Sequence, residues 1–314
     1  MKPGARPVAA PTLLGSGLVL LSTLALSTEA VLAKLAYAGG ASASSVLAMR
    51  FSLSTLCFWL LQVRAPLGMP TSRLSGREGL KLLLLGCAGQ GVTVVLLFHS
   101  FRYISAAMAI LFLYIYPVVS NLAAHFLLRE TLTARKILAL VLVLTGCLLI
   151  LAAPGSPQPD NPAGLDWRGA IMALGAGVIN GLFLVIGAKA VETIPVITFN
   201  AYVTTGVWLT ALISGWLAGD LGLGFSISAW VSILAMTTFT VIASLAMFAG
   251  VRYIGASSTS IISTLEPAAT ALWAYLVLGE TITLRQALGG LVVLAGILFS
   301  FSNSYRSAHP YPSP

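Results

Sequence analysis

The sequence predicts an all-α membrane protein with ten transmembrane helices, set as two inverted five-helix repeats around a central cavity. Three observations carry that prediction. Of 314 residues, 58% are hydrophobic and only 8% are charged. A soluble domain carries roughly 25% charged residues, so this chain has too little charge to cover a water-exposed surface. Apolar runs of about 20 residues, the length that crosses a hydrocarbon core, recur from end to end. Residues 102–146 also lie on residues 252–296 without a gap. The runs are continuous rather than alternating with period two, which favours helices over a barrel.

The ten apolar segments are 12–33, 45–63, 80–99, 104–127, 135–153, 168–188, 196–217, 227–249, 256–278 and 284–302. The first follows Lys2 and Arg6 as a signal peptide would. Its apolar run extends to Leu32, beyond the roughly 7–15 residues of a signal core, so it is taken as a retained first span. The longest connections are "VRAPLGMPTSRLSGRE" (63–78) and "APGSPQPDNPAGLD" (153–166). Both are loops by their Pro, Gly and Ser content. The second divides the chain into a first repeat (1–153), a linker (154–166), a second repeat (167–303) and a tail (304–314).

With the N-terminus in the cytoplasm, twelve Lys and Arg fall inside and four outside, with Arg50 within the second span. The bias places both termini in the cytoplasm. The net charge of +8 is therefore a topology signal and not a nucleic-acid footprint. Cys57, Cys87 and Cys147 lie in apolar runs without C-x-x-C spacing. That pattern suits small apolar packing rather than disulfides or metal, and no cofactor is expected.

The internal match is specific. "RYISAAMAILFLYIYPVVSNLAAHFLLRETLTARKILALVLVLTG" pairs Arg102, Tyr103, Pro117, Glu130, Thr131, Thr133, Arg135 and Gly146 with Arg252, Tyr253, Pro267, Glu280, Thr281, Thr283, Arg285 and Gly296. Unrelated apolar helices share leucines, but not this order of polar residues. Five spans per repeat is an odd number, so the second copy enters the membrane from the opposite side. Inverted repeats are a recurrent transporter construction, with the substrate site near the midplane. Pro117 and Pro267 are the expected helix kinks. Pro267 cannot donate to the carbonyl of Ser263, nor Pro117 to that of Leu113. Backbone freed at that depth is tolerated where it is buried in protein or lines a wet cavity.

"SSTSIISTLEPAATALWAYLVLGETITLRQALGGLVVLAGILF" resembles the second EamA-type repeat of the drug/metabolite transporter superfamily. The features are a Glu-Pro in the ninth span, a Gly-Glu-Thr loop and a Gly-rich tenth span. The 101–146 stretch resembles the first copy. The chain is also similar to the YddG group of bacterial aromatic amino acid exporters. The resemblance implies spans 1–4 and 6–9 around a central cavity, and spans 5 and 10 bracing the outside. It further implies residence in a bacterial inner membrane and outward movement of small metabolites. Family members often carry a Trp-Gly pair in the first span; here the stretch reads "LALSTEAVLAKLA", so cavity specificity does not carry over.

Glu266 is the leading site candidate, because a charge at helix centre costs at least about 2.5 kcal/mol. It can meet a substrate ammonium group, pair with a base or carry a proton; alternatively it caps loosened backbone. Glu29 is a second intramembrane acid, for which an ion pair with Arg50 or Lys34 is expected. Gln90 and Asn180 are polar groups near span centres, flanked by glycines. Each either bonds a neighbouring helix or faces the cavity. Phe98, Tyr114 and Phe183 are candidate lining aromatics in a pocket that should be mostly apolar. Thr264 joins them as the repeat mate of Tyr114. Glu130 and Glu280, in "RETLT" and "GETIT", read as turns and caps before spans 5 and 10.

The favoured reading is an alternating-access exporter of small organic metabolites, amino acids including aromatic ones foremost. It would act on a small-molecule substrate, as a monomer or weak homodimer in the bilayer. The alternatives are export of organic cations or drugs, with Glu266 meeting the cation, and a channel. An intramembrane enzyme is disfavoured: the sequence has no His-Glu-x-x-His, no Gly-x-Ser-x-Gly and no paired aspartates within spans.

Overall fold

The apolar runs fold as helices, which satisfy their own backbone N–H and C=O groups in lipid. The computed structural model describes residues 9–64, 71–100, 103–104, 106–151, 166–279 and 281–301. Arg102 and Glu280, both members of the internal match, lie outside the described residues. The first half contains α1 (Ala9–Leu26), α2 (Glu29–Ala38), α3 (Ala43–Val63) and α4 (Gly76–Leu85). A π-helical segment (Gly86–Gly91) joins α4 to α5 (Val92–Ser100). Then come α6 (Ala106–Leu113), α7 (Tyr116–Leu128) and α8 (Ala134–Leu151). The second half contains α9 (Trp167–Ala190), α10 (Val196–Ala218), α11 (Ile227–Ser263), α12 (Glu266–Leu278) and α13 (Leu284–Phe301).

Among the described residues, eight helices are long and apolar enough to cross a membrane, and Leu284–Ser300 is apolar but shorter. The difference from ten expected segments has a local cause. α11 runs for 37 residues through the gap expected between the eighth and ninth segments. The ninth is then interrupted further on, leaving α12 only 13 residues. Within α11, Gly255 departs from helical geometry at φ 77° and ψ 167°, a conformation open to glycine and strained for other residues.

Three breaks interrupt the apolar runs, at Ser27–Thr28, Tyr114–Ile115 and Thr264–Leu265. Hydroxyls satisfy carbonyls that the breaks release. Ser27 donates to Leu24 O and Thr28 to Ala25 O, both at 2.7 Å, and Thr264 donates to Ile261 O at 2.6 Å. Pro117 and Pro267 sit in the first turn of α7 and α12, where the missing N–H costs nothing. The expected kinks thus take the form of complete breaks, each proline opening a fresh helix.

Glycines bring the helix backbones into contact, as membrane packing requires. A Cβ added at Gly146 would lie 2.7 Å from Gly289 O, and one at Gly289 would lie 2.7 Å from Gly146 O; α8 and α13 cross there. A second reciprocal pair links the halves. A Cβ at Gly15 would meet Tyr253 Cβ at 2.5 Å and Ile254 Cγ2 at 2.8 Å, and one at Gly169 would meet Tyr103 Cβ at 2.8 Å and Ile104 Cγ1 at 2.9 Å. Tyr103–Ile104 and Tyr253–Ile254 are equivalent positions of the internal match.

Turns are tied together at both ends of the bundle. At the start of α3, the cap Ser42 donates to Asp220 O (2.7 Å), and Ser45 in the first turn accepts from Gly222 N (2.9 Å). Ser226 N reaches Gly39 O at 3.0 Å. In the α3–α4 connection, Ser72 N donates to Thr198 Oγ1 (3.1 Å), which itself donates to Gln62 Oε1 (2.9 Å).

Candidate functional site

Two broken helices meet at two carboxylates. Glu29 is the first residue of α2 and Glu266 the first of α12. Each therefore sits at a helix start, where unpaired N–H groups favour negative charge. The breaks are in contact: Thr270 donates to Ser27 O at 3.1 Å. Glu29 is held. Arg50 Nη1 donates to its Oε2 at 2.8 Å, and Thr240 donates to its Oε1 at 3.2 Å. The pair is mostly enclosed, with side chains 10% exposed for Arg50 and 22% for Glu29. The guanidinium lies 4.5 Å from the Phe51 ring centroid. Its Nε is buried and has no acceptor among the described residues.

Glu266 is half-buried, and among the described residues no group hydrogen-bonds its carboxylate. Thr270, one turn along α12 from Glu266, reaches the carbonyl of Ser27 just before Glu29, and Leu265, the residue before Glu266, packs on Tyr114, Tyr116 and Cys147. Glu29 is matched by Arg50, whereas among the described residues no basic side chain pairs with Glu266. The site also offers one unsatisfied donor, on Arg50.

The other sequence candidates fall into two groups. Tyr114 and Tyr116 are buried with ring centroids 5.7 Å apart, packed with Cys147, Ile150 and Val293. Tyr114 also lines an apolar groove of about 310 Å³ with Leu111, Phe112, Leu144 and Leu174. Thr264 is fully buried, its hydroxyl turned back to Ile261 O. These residues adjoin the breaks beside Glu266. Phe183 packs edge-on to Phe248 at 6.0 Å, and Phe98 joins the same cluster. A Cβ on Gly89 would meet Phe183 at 2.8 Å, which brings the π-helical segment and its Gln90 to this second group.

Asn180 is half-buried on α9. Its neighbours Gly177 and Gly181 lie against Leu113 O and Tyr116 O, at the α6–α7 break. That contact occupies the Gly-x-x-x-Gly face within the chain.

Sequence reasoning missed three features. The π-helix places Gln90 in a segment where the backbone ladder is rearranged, a frequent mark of function; the signal was the glycine density of "GCAGQG". Asn121 is 2% exposed, donates to Pro117 O (2.7 Å) and Ser260 Oγ (3.1 Å), and accepts from the Ser257 hydroxyl. The serines of "GASSTSIIS" were its signal, since hydroxyls in hydrocarbon need partners. The third is Glu130. The cap before α8 comes from Thr133, which accepts from Lys136 N at 3.3 Å; before α13, Thr283 and Gln286 cap reciprocally. The Glu130 carboxylate instead crosses to α11.

The model of the EamA-like transporter family matches this chain twice, over residues 13–152 and 167–302. The chain belongs to the EamA-like transporter family. It is thus a multipass membrane transporter of the drug/metabolite transporter superfamily, and not an enzyme. It is 25% identical over 260 residues to the uncharacterized transporter YyaM of Bacillus subtilis, covering 82% of this chain and 84% of that protein. It is 25% identical over 287 residues to the uncharacterized transporter YcbK of the same bacterium, covering 88% of each. An uncharacterized transporter of Clostridium kluyveri is 22% identical over 292 residues, with 92% and 93% covered. A solved crystal structure matches with a TM-score of 0.73 at 17% identity, covering 93% of this chain and 98% of that one, a likeness of fold.

Proposed function

We propose that this transporter exports small organic metabolites, with amino acids including aromatic ones as its cargo. It works by alternating access between two inverted five-helix repeats, ten spans in all, around a central cavity. One observation carries the substrate reading. Glu266, a carboxylate without a hydrogen-bonding partner among the described residues, opens the helix that touches the break before Glu29, and Glu29 pairs with Arg50, whose buried Nε lacks an acceptor among the same residues. An α-amino acid brings an ammonium group for the first and a carboxylate for the second. The apolar and aromatic surroundings of Tyr114 and Phe183 suit an aromatic side chain, as does the similarity to the YddG group. Gln90 from the π-helix and Asn180 from α9 supply polar contacts.

The inverted architecture draws support from the two reciprocal glycine seats, Gly15 on Tyr253–Ile254 and Gly169 on Tyr103–Ile104. A two-fold axis in the membrane plane relates such contacts naturally. The turn pairings agree with the charge-derived sides: 42–45 meets 220–222, both outside, and Ser72 meets Thr198, both inside. On this reading the protein lies in a bacterial inner membrane with both termini cytoplasmic. It works as a monomer or weak homodimer, consistent with the Gly177–Gly181 face being filled by its own chain.

The purified protein in liposomes, screened with and without a pH gradient, is expected to carry aromatic and aliphatic amino acids faster than the amines left by their decarboxylation. No flux of any amino acid would remove the substrate claim. Flux of the amines alone would reassign the site to organic cations, and continuous single-channel currents would replace the carrier by a channel.

A further inference from the structure

The second helical half of α11 begins at the break made by Gly255, and its first amides have a partner from another part of the chain. Glu130 Oε1 accepts from Ala256 N at 2.9 Å, and Oε2 accepts from Ser257 N at 3.3 Å. Lys136 Nζ stands 3.6 Å from the same carboxylate, whose side chain is 11% exposed. Glu130 is itself fixed. Its N–H donates to Ala124 O at 3.1 Å, His125 Nδ1 lies 2.8 Å from its carbonyl oxygen, and Arg129 before it is left-handed at φ 57°. Further back along α7, Asn121 bonds Ser257 and Ser260. The end of α7 and the start of this half-helix are therefore joined by successive polar rungs.

This geometry exceeds the needs of a local cap. The carboxylate comes from the first half of the chain and the amides from the second, 126 positions later. The contact sits at a backbone position only glycine tolerates, and a Cβ on Gly255 would fall 2.7 Å from Glu130 Oε1. A helix start at a glycine break is a natural pivot, and a charged acceptor on its free amides is a strong tie.

We propose that Glu130 is a gate latch: by holding the amides of Ala256 and Ser257 it keeps closed the end of the transporter at which residues 129–134 lie, and it must release them for that end to open. The latch rests on the alternating-access reading. Its test needs no substrate, so failure of the latch and failure of the substrate assignment are separate results.

Ser263 provides the reporter. It is buried, 5% exposed, and it lies inward of the latch at the end of α11. Ser263→Cys is placed in the full-length protein in vesicles of known orientation, and labelled with a membrane-impermeant maleimide from each face. Signal is counted above the three native cysteines. With Glu130 intact, labelling from the latch face should be slow. Glu130→Gln should raise it roughly tenfold, the effect of about one charge-assisted hydrogen bond, with no rise from the opposite face. Ala256→Pro removes one latched amide while a proline at a helix start is well tolerated, so it should give the same one-sided rise with the carboxylate in place. Unchanged labelling from the latch face, or an equal rise from both faces, would overturn the latch; lowered thermal stability with unchanged labelling would reduce Glu130 to a structural cap.

Discussion

Replacing Glu266 with Gln is expected to cut kcat/KM for amino acids by about one to two orders of magnitude, the loss of a hydrogen bond to a charged group. The folded protein should meanwhile become no less stable. Both halves follow from the same fact. The Glu266 carboxylate lies at the start of α12 and lacks a hydrogen-bonding partner among the described residues, so it contributes no internal ion pair that a glutamine would break. Glutamine also carries no ionisable group to bury in the membrane interior. Proteoliposome uptake alongside thermal unfolding checks the split. An unfolded variant would mean that Glu266 is structural; unchanged uptake would mean that it does not meet the cargo. Uncharged cargo, if carried, should be spared, since only an ammonium group requires the anion.

Replacing Arg50 alone with Leu should destabilise the protein by about 3–5 kcal/mol, because it strands an enclosed carboxylate. Glu29 would retain the Thr240 hydroxyl as a donor but lose its guanidinium. The double variant, Glu29→Leu with Arg50→Leu, should recover most of that loss, since neither charge is then left alone. The double variant should still fail to carry amino acids, because the carboxylate anchor is gone. Equal destabilisation in the single and double variants would show that the two residues are uncoupled, despite a contact of 2.8 Å. The comparison thereby separates folding from transport at one site.

The parts of this account legible in the sequence were those set by long-range composition. Sustained apolarity announced the helices, and the matched order of Arg, Pro, Glu, Thr and Gly announced the duplication. The proline positions announced two of the breaks. The third break was silent, because nothing in "LALSTEAV" resembles a helix breaker. Ser27 and Thr28 make it possible by returning their hydroxyls to carbonyls three residues back. Gly255 is one glycine among thirty, and only its backbone geometry distinguishes it. The reach of Glu130 was equally hidden. A Glu-Thr-x-Thr string before an apolar run reads as a local cap, and the amides that Glu130 binds belong to a segment whose proximity only the fold creates. Glu29 with Arg50 was within reach of sequence reasoning, because two opposite charges in hydrocarbon need each other. Which base Glu29 would choose was not.

The claim beneath all of this is that the two halves of the chain lie upside down with respect to each other. Thr131 and Thr281 test it directly, being equivalent positions of the internal match and both exposed in turns. Each is changed singly to Cys and labelled in sealed vesicles with a membrane-impermeant maleimide. The inverted arrangement predicts that Thr131→Cys reacts only from the cytoplasmic face and Thr281→Cys only from the opposite one. Reaction of both from a single face would contradict it.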